Sequence, residues 1–176
     1  MSISPEYVLL GYLYNQPMHG YELHQTVQRE FGQVWHISQS QAYNIINRLL
    51  NRALLRAEVQ QGEGSPDKHL LFITEAGRSH FMAWLTTPTP AAIQPIRIEF
   101  ITRLVFARSA FPHLEADIIR QQADQVNERL AQLNIQLASM PAESTANRLA
   151  LELRIRSLTS ISAWLEELAV TPINKE

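Results

Sequence analysis

The chain has 176 residues, enough for one large domain or two small ones. It has no cysteine, which excludes a disulfide framework and a thiolate metal site. Its formal charge is −2, from 15 Lys and Arg against 17 Asp and Glu, so bulk charge does not mark a nucleic-acid binder. Residues 1–86 repeat that balance, with six basic and seven acidic residues and five of the six histidines. The first residues show no basic cluster followed by an apolar run, and no apolar stretch reaches membrane-spanning length. A soluble, cytoplasmic protein is expected.

Ser4 and Pro5 suit a helix start, and a largely apolar helix follows to about Asn15. Pro17 ends it, because the proline ring cannot continue the ladder. Gly20 supplies either a positive φ or close backbone packing. A second helix, about His19 to Phe31, carries Leu23, Val27 and Phe31 at i, i+4, i+8, and Gly32 closes it. In the third helix Ser38 and Gln41 form a capping-box pattern. Ala42, Ile45, Ile46, Leu49, Leu50 and Ala53 fall on one face. Leu54–Gln60 and His69–Ile73 read as short strands around the turn chemistry of Gly62 to Pro66. Thr74 caps a fourth helix reaching about Thr86, with Phe81, Trp84 and Leu85 inward. This order of helix, turn, helix, hairpin and helix predicts a winged helix-turn-helix, a fold used chiefly to read duplex DNA.

The outer face of the third helix is the informative surface. From Ser38 to Ala57 there is no carboxylate. A merely solvated helix mixes Glu with Lys; this one presents Asn, Gln, Arg, Ser and Tyr, which bond base edges and phosphates. Ser40, Gln41, Asn44, Asn47 and Arg48 are the candidates for base reading. Tyr43, Arg52, Lys68 and His69 are the candidates for phosphate contacts.

The second half is helical by pattern. Thr87 to Ala92 reads as a linker, and an apolar helix covers Ile96 to Ala110. Pro112 opens a long helix that Pro141 stops, and a last helix runs from about Ser144 to Val170. Their apolar stripes are too wide for one antiparallel neighbour to cover, which points to a coiled coil or bundle between two copies. Val126, Leu130, Leu133, Leu137, Leu151, Ile155, Leu158 and Leu165 are the candidate dimer interface. The expected domains are residues 1–86 for DNA binding, a linker at 87–95, and residues 96–176 for dimerisation. The fold class is mainly α.

Several of these residues match a known pattern. Pro17, His19, Gly20, Tyr21, Glu22 and Leu23, then Trp35, then Tyr43, then Ser65–Ile73 followed by Thr74, Glu75, Ala76 and Gly77, resemble the PadR-like family of bacterial transcription regulators. The stretch from Gln94 to Phe100, with Arg97 and Glu99, and the long helices after it resemble the branch typified by the AphA activator. The resemblance implies a homodimer bound to a double-stranded operator. It also implies a wing with a basic pair and a tyrosine; here Lys68 and His69 form the pair and Leu71 stands at the tyrosine position. Some family members respond to a ligand, and Tyr12, Trp35, Trp84 and Phe106 are candidates to line an effector pocket for an aromatic small molecule. Ordinary core packing is the preferred reading of those aromatics. A further alternative is a winged helix used for protein contacts without DNA. The six histidines show no metal-ligand spacing, no phosphate-cradling loop or nucleophile elbow occurs, and the carboxylates form no acid–base pair. Neither cofactor, metal nor enzymatic activity is expected.

Overall fold

A computed structural model describes residues 4–62, 65–141 and 143–170, with the backbone alone for 60–62 and 65–68. The chain divides into two compact units, Met1–Thr87 and Pro88–Glu176. Among the described residues no helix is long and apolar enough to cross a membrane.

The first unit holds α1 (Glu6–Asn15), β1 (Met18–His19), α2 (Gly20–Phe31), α3 (Gln39–Asn51), β2 (Leu55–Gly62), β3 (Ser65–Ile73) and α4 (Glu75–Thr86). The core is made by the stripes that spacing alone predicts. Val8, Leu9, Leu10 and Leu13 come from α1, Leu23, Val27 and Phe31 from α2, and Ala42, Ile45, Ile46 and Leu49 from α3. Leu55, Leu71 and Ile73 from the sheet and Phe81, Trp84 and Leu85 from α4 complete it. Full burial of each large side chain is worth about 1.5–3 kcal/mol. The strands form one antiparallel sheet in the order β1-β3-β2. Gly77, in the first turn of α4, is a position that needs glycine. A Cβ there would lie 2.2 Å from the Leu54 carbonyl oxygen and 2.7 Å from Ile73 Cγ1. Gly20 serves packing: its missing Cβ would sit 3.1 Å from the Tyr43 ring.

The structure departs from the expectations in three places here. Met18 and His19 form a strand, paired with Leu71 and Leu70, which two residues cannot announce by alternation. The hairpin strands run further than the turn residues imply, to Gly62 opposite Ser65, with a shift in register after Gln60. Ala53 is not on the buried face of α3. The helix ends at Asn51, and Ala53 takes φ 54°, exposed, as the left-handed residue that turns the chain into β2.

In the second unit α5 (Ile93–Pro95) leads through a π-helical segment (Ile96–Phe100) into α6 (Ile101–Ala110). The helix therefore begins earlier than the apolar pattern suggests, and its π segment turns Ile96, Glu99 and Phe100 inward together. Thr89 is clasped by Gln122, which accepts from its N–H at 3.2 Å and donates to its carbonyl at 3.1 Å. Arg103 donates to the Thr89 hydroxyl at 2.8 Å. The long helices α7 (Pro112–Ala138) and α8 (Thr145–Val170) pack along one another. Arg148 of α8 donates to the carbonyls of Leu137 and Met140, closing the C-terminal end of α7.

That pairing redistributes the candidate interface. Val126, Leu133, Leu151, Leu158 and Leu165 are buried within the single chain, between α7 and α8. Leu130, Leu137 and Ile155 are half-buried. The large apolar side chains left exposed on these helices are Ile135, Leu149, Leu153 and Val170. Stripe width alone points to a partner, but much of the stripe is satisfied by the helical hairpin itself.

Candidate nucleic-acid interface

The capping box of α3 forms as the sequence implies. Ser38 Oγ accepts from the Gln41 N–H at 3.2 Å, and the Ser38 N–H donates to Gln41 Oε1 at 2.8 Å. Ser40 Oγ lies 3.1 Å from Ser38 Oγ. Two of the five base-reading candidates, Ser40 and Gln41, are thus engaged at the start of the helix. Gln41 in particular uses its carbonyl oxygen to satisfy a backbone donor that would otherwise be orphaned. Asn44 and Asn47 behave differently. Both are exposed, and among the described residues neither side chain makes a hydrogen bond.

Arg48 and Arg52 turn away from these asparagines towards α1. Arg48 Nη2 donates to Glu6 Oε2 at 3.1 Å, and Arg52 Nη1 reaches both Glu6 oxygens at 3.3 Å. His80 Nε2 of α4 lies 3.3 Å from Glu6 Oε1. The Glu6 side chain is 9% exposed, while those of Arg48 and Arg52 are 52% and 43% exposed. Burial pushes the Glu6 carboxyl up, but the bond to His80 and the charges of Arg52 and Arg48 outweigh it and hold it below its ordinary value. Sequence reasoning missed this residue. An acid in the first turn of a helix is unremarkable, and no local pattern announces a partner 42 residues away.

The phosphate candidates divide as well. Tyr43 and Asn47 of α3, His69 of β3 and the segment His19–Glu22 line one cleft of about 750 Å³ with an apolar floor that includes Ile46 and Leu71. His19 Nδ1 lies 3.1 Å from the His69 carbonyl oxygen, which ties the start of α2 to the wing. Lys68 belongs to β3, but its side chain lies outside the described residues. Arg56, not singled out by the sequence, stands over the Phe72 ring at 4.2 Å and pairs with Glu58 on β2.

The aromatic candidates for an effector pocket sit in different surroundings. The Tyr12 hydroxyl donates to Glu30 at 2.8 Å, and burial with that bond pushes its pKa well up. Trp35 is buried. Trp84 stacks on Tyr7 at 4.6 Å. Phe106 is buried in the second unit. Trp35 and Trp84 line neither the cleft beside α3 nor the smaller hollow of about 330 Å³ that includes Tyr12.

The model of the transcriptional regulator PadR-like family matches residues 9–83, from α1 to α4. Residues 9–83 are thus similar to the PadR-like family. A probable transcriptional regulator of Mycobacterium tuberculosis, Rv1176c, is 29% identical over 82 residues, which is 47% of this chain and 43% of that protein. The negative transcriptional regulator PadR of Bacillus subtilis is 22% identical over 129 residues, 73% of this chain and 69% of that one. The match thus spans under half of the first relative and about two thirds of the second. Two solved structures align over most of the chain. Bacillus subtilis PadR in complex with operator DNA is 21% identical, with 94% of this chain and 96% of that one covered and a TM-score of 0.48. The Vibrio cholerae virulence activator AphA is 20% identical, with 95% and 96% covered and a TM-score of 0.41. The matching family is one of regulators rather than enzymes.

Proposed function

We propose that this PadR-like chain is a sequence-specific DNA-binding regulator of transcription that acts as a homodimer in the bacterial cytoplasm. The observation that carries the reading is the outer face of α3. It has no carboxylate, and it presents Asn44 and Asn47 exposed and, among the described residues, unengaged. On this reading residues 1–86 bind DNA, 87–95 link, and 96–176 dimerise. α3 enters the major groove, where Asn44 and Asn47 read base edges. Tyr43, His69 and Lys68 hold phosphates, which position the protein without reading sequence. The low net charge makes the number of phosphate contacts small, and a small number predicts a shallow salt dependence. Selection of bound fragments from a random DNA pool, followed by footprinting, tests the proposal. A discrete protected site supports it. Binding without sequence preference, or none, favours a winged helix used for protein contacts.

A further inference from the structure

We infer that Glu6 is a specificity-determining residue, a buried carboxylate that withholds Arg48 and Arg52 from DNA lacking the right bases. The inference rests on the reading of α3 as the DNA-contacting helix. Those two arginines are the only Lys or Arg residues on α3 and its C-cap. Both guanidinium groups are aimed at one carboxylate, at 3.1 and 3.3 Å, while much of each side chain remains open to solvent. A phosphate approaching from solution can therefore reach either arginine but must take it from Glu6. Doing so leaves a carboxylate that is 9% exposed with fewer partners, and an uncompensated buried charge is costly. Ordinary duplex DNA supplies only phosphates and so gains little. An operator that also satisfies the neighbouring asparagines has binding energy left over to draw the arginines out. His80, on a third element, keeps one partner on Glu6 while an arginine leaves.

Glu6 touches no DNA in this scheme; it acts through the arginines, as a positioning residue. The test uses the full-length protein and two duplexes, the selected site and an unrelated sequence, titrated between about 50 and 200 mM salt. Glu6→Gln releases both arginines, so binding to the unrelated duplex tightens. Its log–log salt slope steepens by nearly two units, about 0.9 for each added phosphate contact. Over that fourfold salt range the variant then loses affinity about tenfold more than the wild type does. The ratio of specific to unrelated affinity falls. Arg52→Ala in the Glu6→Gln background removes about one unit of the gained slope. An altered slope is a readout that mere loss of packing between α1 and α3 does not produce. Arg52→Ala in the wild-type background covers the case in which Glu6→Gln does not fold. An unchanged slope on unrelated DNA is expected there, and a slope lower by about one unit shows the arginine already on phosphate and overturns the role. A folded Glu6→Gln protein with unaltered slope and ratio also overturns it. Failure of the wild type to bind any duplex instead overturns the DNA reading itself.

Discussion

A carboxamide offers an acceptor and two donors in one plane, the pattern that meets the N6 and N7 edge of adenine in the major groove. Among the described residues Asn44 and Asn47 hold that pattern without an internal hydrogen-bond partner. Replacing either with Ala is expected to cost about 1–3 kcal/mol at the preferred site, and less at sites with a different base there. Tyr43→Phe instead weakens all sequences alike, because a lost phosphate contact carries no base information. Competition binding against single-base operator variants separates the two, and an unchanged base preference in the Asn47 variant removes it from the reading set. Glu6 gives a second prediction at this scale, in stability. Its carboxyl titrates below the ordinary 4.5 in the fold because of His80, Arg52 and Arg48. A group with a lowered folded pKa contributes stability that is fully present above the unfolded value and is lost as pH falls through the folded one. Denaturant midpoints of the wild type are therefore expected to fall below about pH 4.5 more steeply than those of Glu6→Gln. Parallel pH profiles would show that other carboxylates carry the acid sensitivity.

At the scale of the element, Ala53 shows where physical cost and sequence pattern part company. Its spacing from core positions such as Ile46 and Leu49 makes it a candidate core residue, yet it carries φ 54° just beyond the end of α3. An L-residue with a Cβ is disfavoured there by roughly 1–2 kcal/mol, and glycine is not. Ala53→Gly is expected to raise stability by up to about 1 kcal/mol despite the entropy glycine adds to the unfolded chain. Chemical denaturation measures this, and a loss of stability would show that the Ala53 methyl group packs favourably. The same comparison explains what is legible in the sequence. The stripes of α1 to α4, the capping box of Ser38 and Gln41 and the cap of Thr74 are local, so spacing reveals them. The strand at Met18 and His19 exists only because β3 lies beside it. The π segment at Ile96–Phe100 buries Ile96, Glu99 and Phe100 together, a grouping that 3.6-residue spacing does not mark. Arg48 and Arg52 are legible as exposed basic residues, but their direction is set by Glu6, which only the tertiary fold brings near. The chemistry of the candidate reading set is thus visible in the chain, while its geometry is not.

For the whole molecule, the proposed homodimer raises the question of which surface a second copy would cover. Leu133 and Leu165 are fully buried, and Leu151 and Leu158 nearly so, all within one chain. A charge at these positions attacks the α7–α8 pairing before it reaches any partner. Leu149 and Leu153 are 62% and 65% exposed on α8, one helical turn apart. They lie on the same stripe at i and i+4, and Ile135 on α7 is 71% exposed. Isolated exposed leucines need no explanation, but a repeated apolar row on a helix does. These positions fit a second copy, since closed two-fold pairs are the commonest assembly of soluble chains. The double variant Leu149→Asp, Leu153→Asp is therefore expected to give a folded monomer by light scattering at micromolar concentration. Leu158→Asp with Leu165→Asp is expected instead to lose helical circular dichroism. The monomer carries a consequence for DNA. A two-fold dimer presents two α3 helices to half-sites one or two turns apart, each turn about 10 base pairs. Its operator is then pseudo-palindromic, and the monomeric variant loses affinity for the full site while its contact with one half-site stays unchanged. Footprints of the two proteins on the same selected site decide the matter. A site without dyad symmetry, or a double variant that remains dimeric, would place the partner surface elsewhere on the chain.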